Sequence, residues 1–290
     1  MAALSALFRG NSVKPAWEFH SGGIIWRILF SPQNLIIGET RNQETKSARF
    51  FCVDAGTGKS LWDEIEFDEP WWIGIETVYD KWIILHRFAR PDMPEHRGIQ
   101  VIELMTGKSI WKNVELTYWF VNDHKLYAYK YIFEKRLGFE IDIITGNIIN
   151  EYTDNLDALH ELRKKVLQKE TENLQGIVFP ELFEQEYSVT EVKGIIEDIG
   201  REHTIAGDIE YLHRNSILIV SYYRKIDSSQ STELENIIAV YDTERKEMRF
   251  NEIIARGMQV PGPDTFFARD EFVYFVKDKN KLTALKLWKL

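Results

Sequence analysis

The chain has 290 residues, of which 44% are hydrophobic and 28% charged, the composition of an ordinary folded globular protein. Its formal net charge of -9, with Lys and Arg scattered along the chain, makes nucleic acid a poor partner, because an acidic surface repels phosphate. A single cysteine, Cys52, excludes an internal disulfide and any CxxC metal site and fits a cytoplasmic setting; no apolar run is long enough to span a membrane.

Met1 to Arg9 carries an apolar patch, but no basic segment precedes it and it is short for a secretory core. Ala16-Trp17-Glu18-Phe19 reads as a strand without a sheet of its own. A repeating pattern then begins: strand, polar turn, strand, loop, strand, Thr-Gly-type turn, strand. Its second strands are Leu35-Ile36-Ile37-Gly38, Trp82-Ile83-Ile84-Leu85, Leu126-Tyr127-Ala128-Tyr129, Ile217-Leu218-Ile219-Val220 and Phe272-Val273-Tyr274-Phe275. The turns before them are Ser31-Pro32-Gln33-Asn34, Tyr79-Asp80-Lys81, Asn122-Asp123-His124-Lys125, His213-Arg214-Asn215-Ser216 and Arg269-Asp270-Glu271.

The later hairpin of each unit carries the clearest repetition. Val53-Asp54-Ala55-Gly56-Thr57-Gly58-Lys59-Ser60-Leu61-Trp62 nearly superimposes on Ile102-Glu103-Leu104-Met105-Thr106-Gly107-Lys108-Ser109-Ile110-Trp111. Ile141 to Ile149 is a weaker copy and Val240 to Met248 a degraded one. Thr-Gly followed by a polar residue supplies the positive φ that a tight hairpin needs. Four antiparallel strands recurring every 40 to 50 residues or so is the period of a propeller blade.

Between the third and fourth repeats, residues 153–207 break the period. Leu156, Leu159, Leu162, Val166 and Leu167 recur on one helical face, with Thr153 or Asp154 as the cap. Tyr187 to Ile199 reads as a hairpin or a degenerate sixth blade within what is best taken as an insertion. The last repeat ends at Leu282 to Trp288 without a fourth strand, which the strand at Trp17 can supply. The sequence therefore predicts one all-β domain over 1–290. It is a β-propeller of about five four-stranded blades, closed by the N-terminal strand, with an α-helical insertion between blades three and four.

The Asp54 to Trp62 segment resembles the repeat of quinoprotein-type (PQQ-like) β-propellers. The likeness is good at 53–62, partial at 102–111, and weak or marginal at 141–149 and 240–248. It implies a fold, because that repeat occurs in dehydrogenases, in outer-membrane assembly factors and in propellers of no assigned role. The quinone enzymes of the family are larger rings of about eight blades and often carry an adjacent cysteine pair, which this chain lacks, so no cofactor is carried over.

Gly58-Lys59-Ser60 is not a phosphate-binding loop: Val53 stands where the motif needs glycine, and a strand follows. Trp62 and Trp111, at equivalent repeat positions, read as packing residues. Trp26, Trp71, Trp72, Tyr118 and Trp119 fall where first strands begin, where an aromatic either packs in the core or stacks on a ligand. The loop His86 to Arg97 gathers His86, Arg87, Arg90, His96 and Arg97 with Asp92 and Glu95. It is either a solvated loop or a ligand clamp, and its spacing matches no closed metal site, so no metal is expected. Glu66, Asp68, Glu69, Glu115, Asp154 and Asp264 share that face, either as a charged rim or as acids for saccharide hydrolysis.

The function expected from these residues is non-catalytic binding of a protein, peptide or small polar ligand. The face carrying 86–97 and 153–207 would hold it, at Trp71, Trp72, Tyr118, Trp119, His86, Arg87, Arg90 and His96. A hydrolase acting through channel carboxylates, and a purely structural subunit, are the alternatives.

Overall fold

The computed structural model describes residues 12–89, 95–153, 156–172, 176–186, 189–226 and 233–288. After β1 (Trp17–His20), the first sheet is a meander of β2 (Ile24–Phe30), β3 (Leu35–Asn42), β4 (Ser47–Asp54) and β5 (Ser60–Ile65). The second is β6 (Ile73–Tyr79), β7 (Trp82–Phe88), β8 (His96–Glu103) and β9 (Ser109–Asn113). The third is β10 (Thr117–Asn122), β11 (Lys125–Ile132), β12 (Lys135–Asp142) and β13 (Ile148–Tyr152).

Next come helix α1 (Asp157–Glu172), the short strands β14 (Ile177–Val178) and β15 (Glu181–Leu182), and helix α2 (Thr190–Glu202). The fourth sheet joins β15 to β16 (Ile205–Arg214), β17 (Ile217–Lys225), β18 (Leu234–Asp242) and β19 (Glu247–Met258). The fifth runs β1, β22 (Lys281–Lys286), β21 (Phe272–Lys277), β20 (Phe266–Arg269), β14. The chain is thus mostly β, built of five antiparallel sheets. It divides into two compact units: Ser21–Gln175, with the first three sheets and α1, and Met1–His20 with Gly176–Leu290, with the other two sheets and α2.

Each expected turn before a second strand forms, and each contains a residue at positive φ: Asn34, Asp80, Asp123, Asn215 and Asp270. Asn and Asp tolerate that region because their short polar side chains bond locally. In the later hairpins, Asp54 Oδ1 accepts from Thr57 N and Oγ1 at 2.8 and 2.7 Å, and Asp142 Oδ1 accepts from Thr145 N and Oγ1 at 2.7 and 2.9 Å. The glycine that follows takes φ +69 at Gly58, +66 at Gly107 and +73 at Gly146. In the degraded copy Lys246 holds the same place at φ +54, so the turn survives the loss of its glycine.

The repeat tryptophans explain how consecutive sheets lock within the first unit. Trp62 Nε1 donates to Leu104 O at 2.8 Å, and Trp111 Nε1 donates to Ile143 O at 2.8 Å. Each ring lies on the glycine of the next sheet's turn, where a Cβ on Gly107 would sit 3.0 Å from Trp62 and one on Gly146 2.7 Å from Trp111. Ile37, Phe50, Cys52, Ile73, Ile83 and Leu85 fill the space between the first and second sheets, and Ile84, Val101, Leu126, Phe139 and Ile141 that between the second and third. In the other unit, Ile219, Val240, Phe250, Phe266 and Phe275 join the fourth sheet to the fifth. Cys52, in the core between the first and second sheets, is buried with its thiol pushed up to about 12 by desolvation, which makes it inert.

The N-terminal strand completes the fifth sheet as the sequence predicts: β1 runs antiparallel to β22 with Trp17 opposite Ala284. The 153–207 segment requires a correction. Residues 187–199 form neither a hairpin nor a sheet among the described residues. From Thr190 onward they are α2, whose Val192, Ile196 and Ile199 bury a stripe on Leu218, Val220, Tyr222 and Ile237 of the fourth sheet. The helix period wins because that stripe has an apolar sheet face to cover. The 177–182 stretch adds β14 to the free edge of β20 and β15 to that of β16. Helix α1 forms as predicted and packs Leu159 and Val166 on Trp119, Phe120 and Tyr127 of the third sheet, while Leu167 stays exposed. Asp154, one of its two proposed caps, lies outside the described residues.

Candidate functional site

The groups that converge most closely lie at one end of the second sheet. The first strand of each sheet in this unit carries a one-residue irregularity against its neighbour, leaving Trp26, Glu76 and Trp119 as the extra residues. A bulge of this kind re-aims one side chain out of the alternation. Two sheets use the position for tryptophan, Trp26 being 67% exposed and Trp119 6%. The second sheet uses it for a carboxylate.

Glu76 Oε2 meets two imidazoles. His96 Nδ1 lies 2.9 Å from it in a hydrogen bond, and His86 Nδ1 lies 3.0 Å away as a charge partner, off the angle of a regular hydrogen bond. The His86 side chain is 6% exposed, so its Nδ1 is a buried nitrogen without a hydrogen bond. The two rings are stacked, 3.5 Å apart and 7° from parallel, with Phe88 edge-on to both at 5.2 and 5.3 Å. A second irregularity in the ladder, at Gly98 with φ +91, places Phe88 opposite His96 and brings the histidines together although ten residues separate them.

Behind His86 stands Glu39 of β3, 2% exposed, which accepts from Ile75 N at 2.9 Å and from Arg41 Nε at 2.7 Å. Arg41 also donates to the carbonyls of Trp71 and Ile73, tying the first sheet to the second. A Cβ on Gly74 would lie 3.0 Å from Glu39 Oε2 and 3.1 Å from His86 Nε2, so only glycine lets the two approach.

Burial pushes the Glu76 carboxyl up, and its contacts with His86 and then His96 more than offset this, bringing it to about 2. Burial lowers His86, with Glu76 opposing the shift and His96 adding to it. The site therefore sets a carboxyl held low beside an imidazole whose protonation burial disfavours. On the third-sheet side, Thr117 Oγ1 donates to His96 O at 3.0 Å, and the Tyr129 phenol is raised by burial, with Glu95 and Glu76 adding to it. Tyr129 packs edge-on to Trp119, which in turn meets His160 of α1 at 5.0 Å. Helix α1 thus adjoins the same end of the unit.

The structure brings together His86, His96, Trp72 and Arg87 from the expected set. Trp72 meets Phe88 edge-on at 5.8 Å, and Arg87 pairs with Asp68 at 2.5 Å. Trp71 adjoins Trp72 but is flanked by Arg41 and Lys46 at 5.1 and 5.0 Å from its ring. Tyr118 packs against the second–third sheet core, and Trp119 is enclosed beneath α1. Arg90 and Asp92 lie outside the described residues. Glu76 and Glu39 are absent from the expected set; an acid in an apolar strand, Ile75-Glu76-Thr77, is the one signal that marks the former.

The carboxylates considered for hydrolysis are engaged elsewhere. Glu66 pairs with Arg49, Asp68 with Arg87 and Lys112, and Glu115 with Arg97, while Glu69 accepts from the backbone of Trp71 and Trp72. Asp264 takes φ +54 in the turn before β20, and Asp154 is outside the described residues.

A mostly β chain of antiparallel four-stranded meanders, with a His–Glu–His cluster at the end of one of them, is the class these features define. The family model of a domain of unknown function, DUF4905, matches residues 31–111, a stretch that contains Glu39, Glu76, His86 and His96. No curated protein matches. Among solved structures, the chain is similar to the β-propeller domain of the Trilobed protease from Pyrococcus furiosus, at 11% identity and a TM-score of 0.32, covering 91% of this chain and 71% of that one. It is similar to Pyrococcus horikoshii acylaminoacyl peptidase, at 11% identity and 0.30, covering 88% of this chain but only 35% of the peptidase, so it spans about a third of that protein's length. An uncharacterized protein of Listeria monocytogenes EGD-e, lmo1340, is similar at 11% identity and 0.29, covering 88% and 65%. Among the described residues, no helix is long and apolar enough to cross a membrane.

Proposed function

We propose that this chain is a non-catalytic binding module, a single β-propeller domain of five blades that holds a polar ligand or peptide segment at the loop end of its second sheet. The observation that carries the reading is the meeting of Glu76, His86, His96, Phe88 and Trp72 from three strands and a loop, at a bulge that the neighbouring sheets fill with tryptophan. The propeller part rests on the meander order of the sheets, their face-to-face packing within each unit and the repeat likeness at 53–62. β14 and β15 cover the first-strand edges of both sheets in the second unit, which leaves those edges paired and not open. A cytoplasmic setting belongs to the same proposal, on the strength of one buried, inert cysteine.

Thermal denaturation with monosaccharides, short peptides and dicarboxylates tests it, since whatever binds only the native state raises its melting temperature. The expected result is stabilisation by at least one class of probe that disappears in Trp72→Ala. Conversion of a probe to product, or stabilisation that survives Trp72→Ala, contradicts it.

A further inference from the structure

We propose that Glu76, His86 and His96 bind one divalent cation of the zinc class, through two imidazole nitrogens and one carboxylate oxygen. The inference rests on the second-sheet end being the binding site, and it names one ligand of that site. Nearest-neighbour spacing along the chain hides this set, because Glu76 lies on a different strand from both histidines.

Three observations carry it. The ligand-type atoms of the three residues lie within 4.8 Å of one another. Zinc accepts this mixture of imidazole and carboxylate, at about 2.0–2.2 Å from each atom, and three protein ligands leave a fourth position open. Second, His86 Nδ1 is buried, aimed at the cluster and without a hydrogen bond. The Glu76 carboxylate 3.0 Å away is all that offsets the solvation this nitrogen loses, and a cation held between them would take its lone pair. Third, the Glu76 side chain is only 22% exposed, and among the described residues its charge partners are the two imidazoles alone. A carboxylate so placed lacks the fixed cation that Arg41 supplies to Glu39.

The surroundings fit a metal centre. Metal-bound histidine commonly has an acceptor for its outer N–H; the buried Glu39 carboxylate and His86 Nε2 both border the space at Gly74, 3.0 and 3.1 Å from where a Cβ would lie. Binding requires both rings to carry their proton on Nε2, so His96 Nδ1 gives up its bond to Glu76. Parallel rings cannot both hold a cation in plane, so one turns; His96, 34% exposed against 6% for His86, is the one with solvent beside it.

The test is titration of the chelator-stripped full chain with zinc chloride by calorimetry, repeated with cobalt(II) by visible absorption. The expected result is one saturable site per chain, with cobalt bands of tetrahedral type. His96→Ala and Glu76→Gln should weaken zinc by more than tenfold, and Glu39→Gln, one layer out, by about 10- to 100-fold. Circular dichroism of each variant identifies any that fails to fold, and His96→Ala, the most exposed position, keeps the test decisive. Absence of saturable zinc binding, or binding unchanged in both His96→Ala and Glu76→Gln, overturns the proposal. The unaltered chain separates the two readings: zinc binding while no organic probe stabilises it leaves the cation and removes the wider module. Stabilisation through Trp72 without zinc binding does the reverse.

Discussion

At the scale of single residues, buried charge is placed where a partner neutralises it, and the exceptions are informative. Glu140, 3% exposed, has an ion pair with Lys125 at 2.5 Å and accepts from Tyr152 Oη at 2.6 Å and Asn150 Nδ2 at 3.0 Å. Burial alone would raise its carboxyl, but Lys125, Tyr152 and Asn150 bring it to about 2. A carboxyl depressed in the folded state contributes stability that is fully present above its ordinary value of 4.5 and is lost as pH falls toward about 2. Glu140→Gln should therefore lower stability at neutral pH and flatten its decline over that acid window, measured by urea denaturation at stepped pH. An unchanged acid limb would show that Glu140 titrates normally. Glu76 differs from Glu140 in having no lysine or arginine partner among the described residues, which is why it, and not Glu140, reads as a ligand.

Composition and local pattern cannot show such distinctions. The alternation of a strand tells which residues face inward, but a one-residue bulge shifts that alternation and leaves no mark in the sequence. Hence His86 and His96 are legible as candidates from their residue types, whereas Glu76 shows only as an acid in an apolar strand, and its meeting with them and with Glu39 emerges once the strands are paired. Trp119, also at a bulge, is equally ambiguous in sequence; the structure turns it beneath α1 instead of toward solvent.

At the scale of elements, the repeat hairpin is a lock between sheets. The tryptophan of one turn covers the glycine of the next and donates to the carbonyl three residues before that glycine, so both residue types recur together. Gly107→Ala meets two penalties: φ +66 disfavours any side chain, and a Cβ would come within 2.3 Å of Ile65 Cδ1 and 3.0 Å of the Trp62 ring. A loss of about 2 kcal/mol or more is expected. Gly194→Ala in α2 is the contrast, with open space around the new methyl. It should gain roughly 0.4–1 kcal/mol from reduced unfolded-state freedom and better helix propensity. Equal effects at the two positions in chemical denaturation would remove the lock.

The four repeat hairpins can be read from sequence and α2 cannot. A Thr-Gly turn is local chemistry. The α2 segment contains Gly194, Gly200 and adjacent Ile195-Ile196, which weaken a helix taken alone. It is helical because Val192, Ile196 and Ile199 meet the exposed face of the fourth sheet, a contact between distant residues.

At the scale of the whole molecule, the two units share one construction: antiparallel meanders stacked by their apolar faces, each with one helix laid on a sheet. Apart from the added β14 and β15, the strand order within sheets follows the sequence reading down to β1 beside β22. The proposed site lies where this regular frame is broken, at the Glu76 bulge and the Gly98 irregularity.

Hydrogen–deuterium exchange of the full chain with and without zinc chloride locates the binding surface directly. Protection confined to peptides covering 71–77, 86–89 and 95–98 is the predicted result. Protection centred instead on α2 and the 241–248 hairpin beside it, with none at the second sheet, would contradict it.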